Sequence, residues 1–314
     1  LQPDFLWDKR RSTTGSHKLI DSNRGVTKPL STNNTNAEGS ESNAVQAFQT
    51  DGFQVGNDSN INGNGVTYVA WQWKANGGTT ASNSNGSITS TVQANTTAGV
   101  SIVTFTGNTT AGATVGHGLG VAPDYVQVRR FDRSGDAWRG FWSPLGNEKY
   151  LELNATDAQQ DSTTGAWNDT SPTSSVFSLG SAAGINGGSM IAYCFASIPG
   201  YSKIGSYFGN GNADGPFVYT GFKPAWLMIK VFNGNTGGWD MYDNKRGSYN
   251  GQISMLQANA SAAEATSDGV DFLSNGFKIR HTSGNQNGNG NSHVYLAFAE
   301  HPFVSSKGVP VTAR

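Results

Sequence analysis

Short runs of β-branched, aromatic and aliphatic residues recur along this chain, separated by stretches of Gly, Asn, Ser, Asp and Pro. Bounded runs of that kind read as strands, and the punctuating residues read as turns. "DYVQVRRF" (Asp124–Phe131) alternates, with Val126 and Val128 on one face and Gln127 and Arg129 on the other. That is the pattern of a half-buried antiparallel strand. "AWLMIKVF" (Ala225–Phe232) is apolar on both faces and reads as more deeply buried. No segment sustains the period of a long helix.

The runs repeat in order. A Pro precedes an apolar strand at Pro3 ("PDFLW"), Pro123 ("PDYVQVRRF") and Pro224 ("PAWLMIKVF"). A Leu-x-x-Asn segment follows, at Leu30, Leu151 and Leu256. A Phe-centred strand then precedes a last apolar strand: "DGFQVG" with "TYVAWQW", "SVFSLG" with "MIAYCF", "NGFKI" with "VYLAFA". Pro3 to Pro123 is 120 residues and Phe53 to Phe177 is 124; Pro123 to Pro224 is 101 and Phe177 to Phe277 is 100. Spacing this regular marks internal repeats.

The predicted fold is therefore all-β: three tandem antiparallel β-sandwich or jelly-roll-like repeats, each with one short helical turn. Repeat one spans 1–76, a Gly/Ser/Asn/Thr-rich flexible linker with a joining strand 77–99, repeat two 100–200, repeat three 201–304 and a tail 305–314. Repeats two and three open with a strand–turn–strand leader, "SIVTFTGNTT" and "GSYFGNGNADGPFVYTG". Repeat one has none, since the sequence opens mid-pattern at Leu1; a processed, truncated or partial start is the expectation.

The helical turn is expected after the Leu-anchored strand, in "NNTNAE", "NATDAQ" and "NASAAE". Thr35 with Glu38, Thr156 with Gln159 and Ser261 with Glu264 match the capping box. The same Asn residues, Asn33, Asn154 and Asn259, also match a glycosylation acceptor, and could bind carbohydrate or metal; the capping box alone accounts for the following Glu or Gln. "DSNRG" and "DNKRG" read as turns closed by an Asp–Arg bridge, replaced by "SPLG" in the middle repeat.

Composition narrows the function. Net charge is −1 and charged residues are 14%, against roughly 25% in typical soluble domains. There is no basic field for nucleic acid, and no apolar run of the roughly 18–20 residues needed to insert into a membrane. The single cysteine, Cys194, lies in an apolar run and reads as buried. No cofactor motif is present: "GHGLG" (Gly116–Gly120) runs into a strand and not a helix, and His117 within it reads as solvated.

Asp58, Asn60 and Asn62 open like a calcium loop, but the twelfth position is Val69, so the Asn-Gly stretches before each last strand read as hairpin turns. His281 and His293 flank one such stretch and make a poor two-ligand zinc site. Two carboxylates suffice for a glycosidase, and spacing alone leaves that open. Trp7, Trp71, Trp73 and Trp226 read as core. Trp138, Trp142, Trp167 and Trp239 sit beside loops, where aromatics stack on sugars or anchor interfaces.

The strings "VGHGLGVAPDYVQVRR", "GSMIAYCFASIPGYSKIGSY", "GNADGPFVYTGFKPAWLMIK", "YDNKRG" and "LSNGFKIR…VYLAFAEHPFV" resemble a family of repetitive virion structural and tail-fibre-type proteins of marine bacteriophages, including cyanophages. The likeness runs from Pro3 to about Val304. It implies a non-enzymatic particle component on the virion surface, with partners among its own copies and other virion proteins, and a host glycan as a further candidate partner. Two other classes stay open: a carbohydrate-binding module or depolymerase acting on host polysaccharide, and a self-assembling extracellular filament subunit.

Overall fold

The computed structural model describes residues 1–162, 164–247 and 250–300. The tail expected over 305–314 lies outside them. Among the described residues the regular structure is almost wholly antiparallel β-strand; the α-helices are three single turns, Ser59–Asn62, Ala183–Asn186 and Gly284–Asn287, and Ser143–Leu145 forms a 3-10 turn. Among the described residues the one parallel pairing is an isolated bridge between Ile88 and Val115.

Each repeat is built on the same hydrogen-bonded trio. The Pro-led strand (Phe5–Arg10, Tyr125–Arg130, Pro224–Asn233) runs between the last apolar strand (Tyr68–Trp73, Gly187–Phe195, Ser292–Ala299) and a second strand (Lys18–Asp21, Arg139–Trp142, Asp240–Asp243). In repeats two and three this trio lies within eight-stranded sheets; in repeat one it is a three-stranded sheet. Each repeat has its own apolar cluster, centred on Leu6 and Ile20, on Val126 and Phe177, and on Leu227 and Phe277.

The chain divides into two compact units and not three. Repeats one and two share the first (1–154, 161–196 and 261–263), and repeat three makes the second with 155–160. Within the first unit, aromatic side chains of the trios pack ring to ring: Phe5 lies 4.5 Å from Tyr193, and Tyr125 lies 4.3 Å from Trp142. Such pairs add about 0.5–1.5 kcal/mol each beyond their buried area.

Three expectations change. The first half of the stretch, expected as flexible linker, forms strand Ala81–Asn83; it pairs with Ser90–Asn95, the joining strand expected in the second half, which in turn pairs with the leader strand Val100–Asn108. The Asn-Gly stretches are the helical turns and not hairpins. Ile61 and Ile185 point from two of them into the core, at 5% and 0% exposure, and that anchorage prevails over the local turn signal. The segments expected to carry the helical turn, around Thr35–Glu38, Thr156–Gln159 and Ser261–Glu264, are extended or irregular.

Candidate functional site

The threefold Asn segment is the first place to look for a site, and its chemistry is turned inward. Asn33, Asn154 and Asn259 accept through Oδ1 from the backbone N–H of His17, Trp138 and Trp239, at 2.9, 2.7 and 2.8 Å. Asn33 also donates to Ser16 Oγ. The amide oxygens that a ligand would need are in use at all three positions, and at Asn33 so is the nitrogen that glycosylation would need. The Ser and Thr residues act through their carbonyls: those of Thr35, Thr156 and Ser261 accept from Gly135, Gly237 and Gly15, each at 2.8 Å.

A buried cation meets each segment. Lys9 donates to the carbonyls of Ser261 and Ala262, Arg129 to that of Asn36, and Lys230 to that of Thr156. All three occupy one position of the Pro-led strand. Burial pulls Lys9 and Lys230 down to about 8 and Arg129 down to about 10.

Glu38 and Glu264 are ion-pair partners and not members of a capping box. Arg24 bridges Asp21 at 2.7 Å and Glu38 at 2.8 Å, while Arg246 bridges Asp243 at 2.6 Å and Glu264 at 2.8 Å. The expected Asp–Arg closure of both turns is present, and the segment's acid completes it. The middle repeat has Gln159 where those acids stand and Pro144 in place of the Arg turn, so charge partner and charge are absent together.

The four loop-edge tryptophans are buried: Trp138, Trp142 and Trp239 at 0% and Trp167 at 2% exposure. None offers a face to a sugar ring. Trp138 Nε1 donates to Ser31 O and Trp167 Nε1 to Lys149 O. Their neighbouring glycines reflect tight packing, which from sequence is indistinguishable from a loop rim.

The calcium candidates are occupied otherwise. Asp58 caps its helical turn by accepting from Asn60 N–H, and Asn62 donates to Gly56 O. His117 is buried and not solvated; Nε2 lies 3.1 Å from Thr173 O and Nδ1 accepts from Leu119 N–H, and burial lowers its pKa. His281 accepts from Ser283 N–H, and His293 stacks on Tyr207 with ring centroids 4.9 Å apart. Among the described residues no group of three or more His, Cys, Asp or Glu is arranged to hold a metal.

What sequence reading did not find is a polar recess in the first unit, about 310 Å³ in volume. Ser16, Lys18, Asn34, Asn36, Glu41 and Asn60 line it. They come from a strand, two loops and a helical turn, so no spacing announces them. Lys18 Nζ bonds Glu41 Oε1, and Glu41 Oε2 is a buried acceptor without a partner among the described residues. The lining mixes amide donors and acceptors with one balanced ion pair, which suits an uncharged, polyhydroxylated ligand the size of one or two sugar units.

Comparison with curated proteins and with solved structures gives no match. The family comparison does: a domain of unknown function, DUF7483, matches residues 1–302. Its match takes in all three repeats of the Pro-led strand, Asn segment and last apolar strand, and the chain belongs to the DUF7483 family.

Proposed function

We propose that this chain is a non-enzymatic structural protein of a bacteriophage particle, part of a tail fibre or another surface appendage, and that it contributes to host attachment. The observation that carries the reading is the internal use of its reactive and aromatic groups. Lys9, Arg129 and Lys230 end on backbone carbonyls, Asp21 and Asp243 on arginines, and the tryptophans in the cores. That is the economy of a scaffold. The resemblance of the Pro-led and last-strand strings to virion repeat proteins supports the particle. Electron microscopy of phage particles labelled with antibody to this chain is the test. Label on an appendage is expected; label on no particle overturns the reading.

One observation favours a second role in the same setting, recognition of a host-surface glycan. The polar recess around Lys18 and Glu41 has the size and donor–acceptor mixture for a sugar. A glycan array probed with the wild type and with Glu41→Ala decides it: binding lost in the variant supports the recess, and no glycan retained by either chain removes it. A reducing-sugar assay on host polysaccharide separates binding from cleavage.

A further inference from the structure

Three aromatic side chains in the leader of repeat three are turned outward, against the inward use of the tryptophans. Phe208, at the end of strand Ser202–Phe208, is 73% exposed; Phe217 and Tyr219, in strand Phe217–Tyr219, are 46% and 62% exposed. The loop 209–216 joins the two strands. Val218, between the two aromatics, is buried in the core of the repeat. Alternation therefore puts Phe217 and Tyr219 together on the outer face, about 7 Å apart along the strand.

Repeat two shows that the fold does not require them. Phe217–Tyr219 pairs with Gly276–Ile279 as Ala113–Gly116 pairs with Val176–Leu179. Aligned on Phe277 and Phe177, Val218 matches Val115, and both are buried. Phe217 and Tyr219 match Thr114 and Gly116. Phe208, opposite Ser292, matches Thr106, opposite Ser189. In repeat two the chain also covers this face itself. Thr114 and Ser87 exchange two hydrogen bonds, each at 2.9 Å, and Asn83 fills the place that a Cβ at Gly116 would take.

The rings of repeat three lie down on the sheet. A Cβ at Gly276, opposite Tyr219, would come within 3.0 Å of Phe217 Cε2 and Cζ; one at Gly221 would come within 3.6 Å of Tyr219 Oη. Each ring rests on a residue without a side chain and leaves its far side to solvent. The rim is polar and neutralises itself. Lys278, opposite Phe217, pairs with Asp214 at 2.9 Å, and Arg280 pairs with Asp214 and Asp271 at 3.3 and 2.5 Å. Two acids against two bases leave no net charge to draw a charged partner. Aromatic hot spots of protein interfaces fill packed pockets, whereas these rings lie on an open face. A flat aromatic face beside uncharged hydrogen-bonding capacity matches the C–H face and hydroxyl edge of a pyranose ring.

We propose that strand Phe217–Tyr219 is a stacking platform for an uncharged polysaccharide. Phe217 and Tyr219 each lie under one sugar ring, and Lys278 and Asp214 donate to and accept from its hydroxyls. The platform shares no residue with the recess around Lys18 and Glu41 and does not rest on it.

Affinity electrophoresis of the 314-residue chain through gels holding hydroxyethylcellulose, laminarin, dextran or galactomannan tests the proposal, with alginate as an acidic control. Retardation by at least one neutral polymer is expected, and none by alginate. Phe217→Thr with Tyr219→Gly copies repeat two and keeps Val218; it should weaken binding at least about tenfold. Glu41→Ala should bind as the wild type does. If the double variant does not fold, Tyr219→Trp enlarges the stacking face. It should bind at least as tightly, with the new indole shielded from acrylamide quenching by bound polymer.

No retardation by any neutral polymer overturns the proposal. So does retardation that survives the double variant, retardation lost in Glu41→Ala, which places binding in the recess, or a Tyr219→Trp indole left unshielded. Stronger retardation by alginate overturns it in favour of charge attraction. Sedimentation of the chain alone that rises with concentration and vanishes in the double variant, without polymer binding, assigns the patch to a second copy and overturns it as well.

Discussion

Asp8 sits on the core face of the first Pro-led strand, where the equivalent residues of the other repeats are Val128 and Ile229. It is 3% exposed, its Oδ1 has no partner among the described residues, and burial pushes its pKa up to about 8 against the pull of Lys9 and Lys18. A folded value above the ordinary 3.8 means that stability present at pH 4 is lost as pH climbs toward 8. Replacing Asp8 with Val should therefore stabilise the protein at pH 7 by about 1–3 kcal/mol and flatten that slope. Urea titrations at pH 4.5 and pH 8 read it, and an unchanged slope would sink the account. His293 runs the other way. Burial lowers it to about 4, so stability is lost as pH falls from 6.5 to that value, by about 3 kcal/mol in all. His293→Phe keeps the stack on Tyr207 and should abolish this acid loss. At this scale the sequence was partly legible: Cys194 and the first-named tryptophans are core as their apolar runs implied. Glu38 was misread because its partner Arg24 lies 14 residues upstream, outside a four-residue motif.

Elements were legible in kind and less so in place. Nearly every strand named from its apolar run is a strand. The helical turns were expected in the Asn segment because Ser/Thr-x-x-Glu is a local signal, yet the acid there answers a distant arginine. That arginine makes a sharp prediction. Arg24 is buried between Asp21 and Glu38, and Arg24→Ala leaves the buried Asp21 carboxylate without its cation, held by the Tyr193 hydroxyl and a backbone N–H, at a cost of about 3–5 kcal/mol. Chemical denaturation of the variant measures it, and a loss below 1 kcal/mol would mean that the triad is dispensable. Glu38→Gln, which copies Gln159 of the middle repeat, should cost less, since the Asp21 pair survives.

At the scale of the whole molecule the threefold repetition was readable from offsets alone, because all three Pro-led strands must bury the same face. The sharing of one compact unit by two repeats was not readable, since it depends on side chains meeting across repeats. Lys9 shows how far such meetings reach. Its ammonium completes its hydrogen bonds with carbonyls 252 and 253 positions later. At about 5–20 residues per second, a ribosome exposes the opening strand many seconds before residues 261 and 262 emerge. These hydrogen bonds of repeat one therefore wait on a loop of repeat three. Ribosome-stalled chains ending before residue 250 should be cut readily by protease within residues 1–76. Chains carrying residues through 263 and beyond the exit tunnel should resist. A strand made early is thus joined to its hydrogen-bond partners only once a loop of the third repeat has been made.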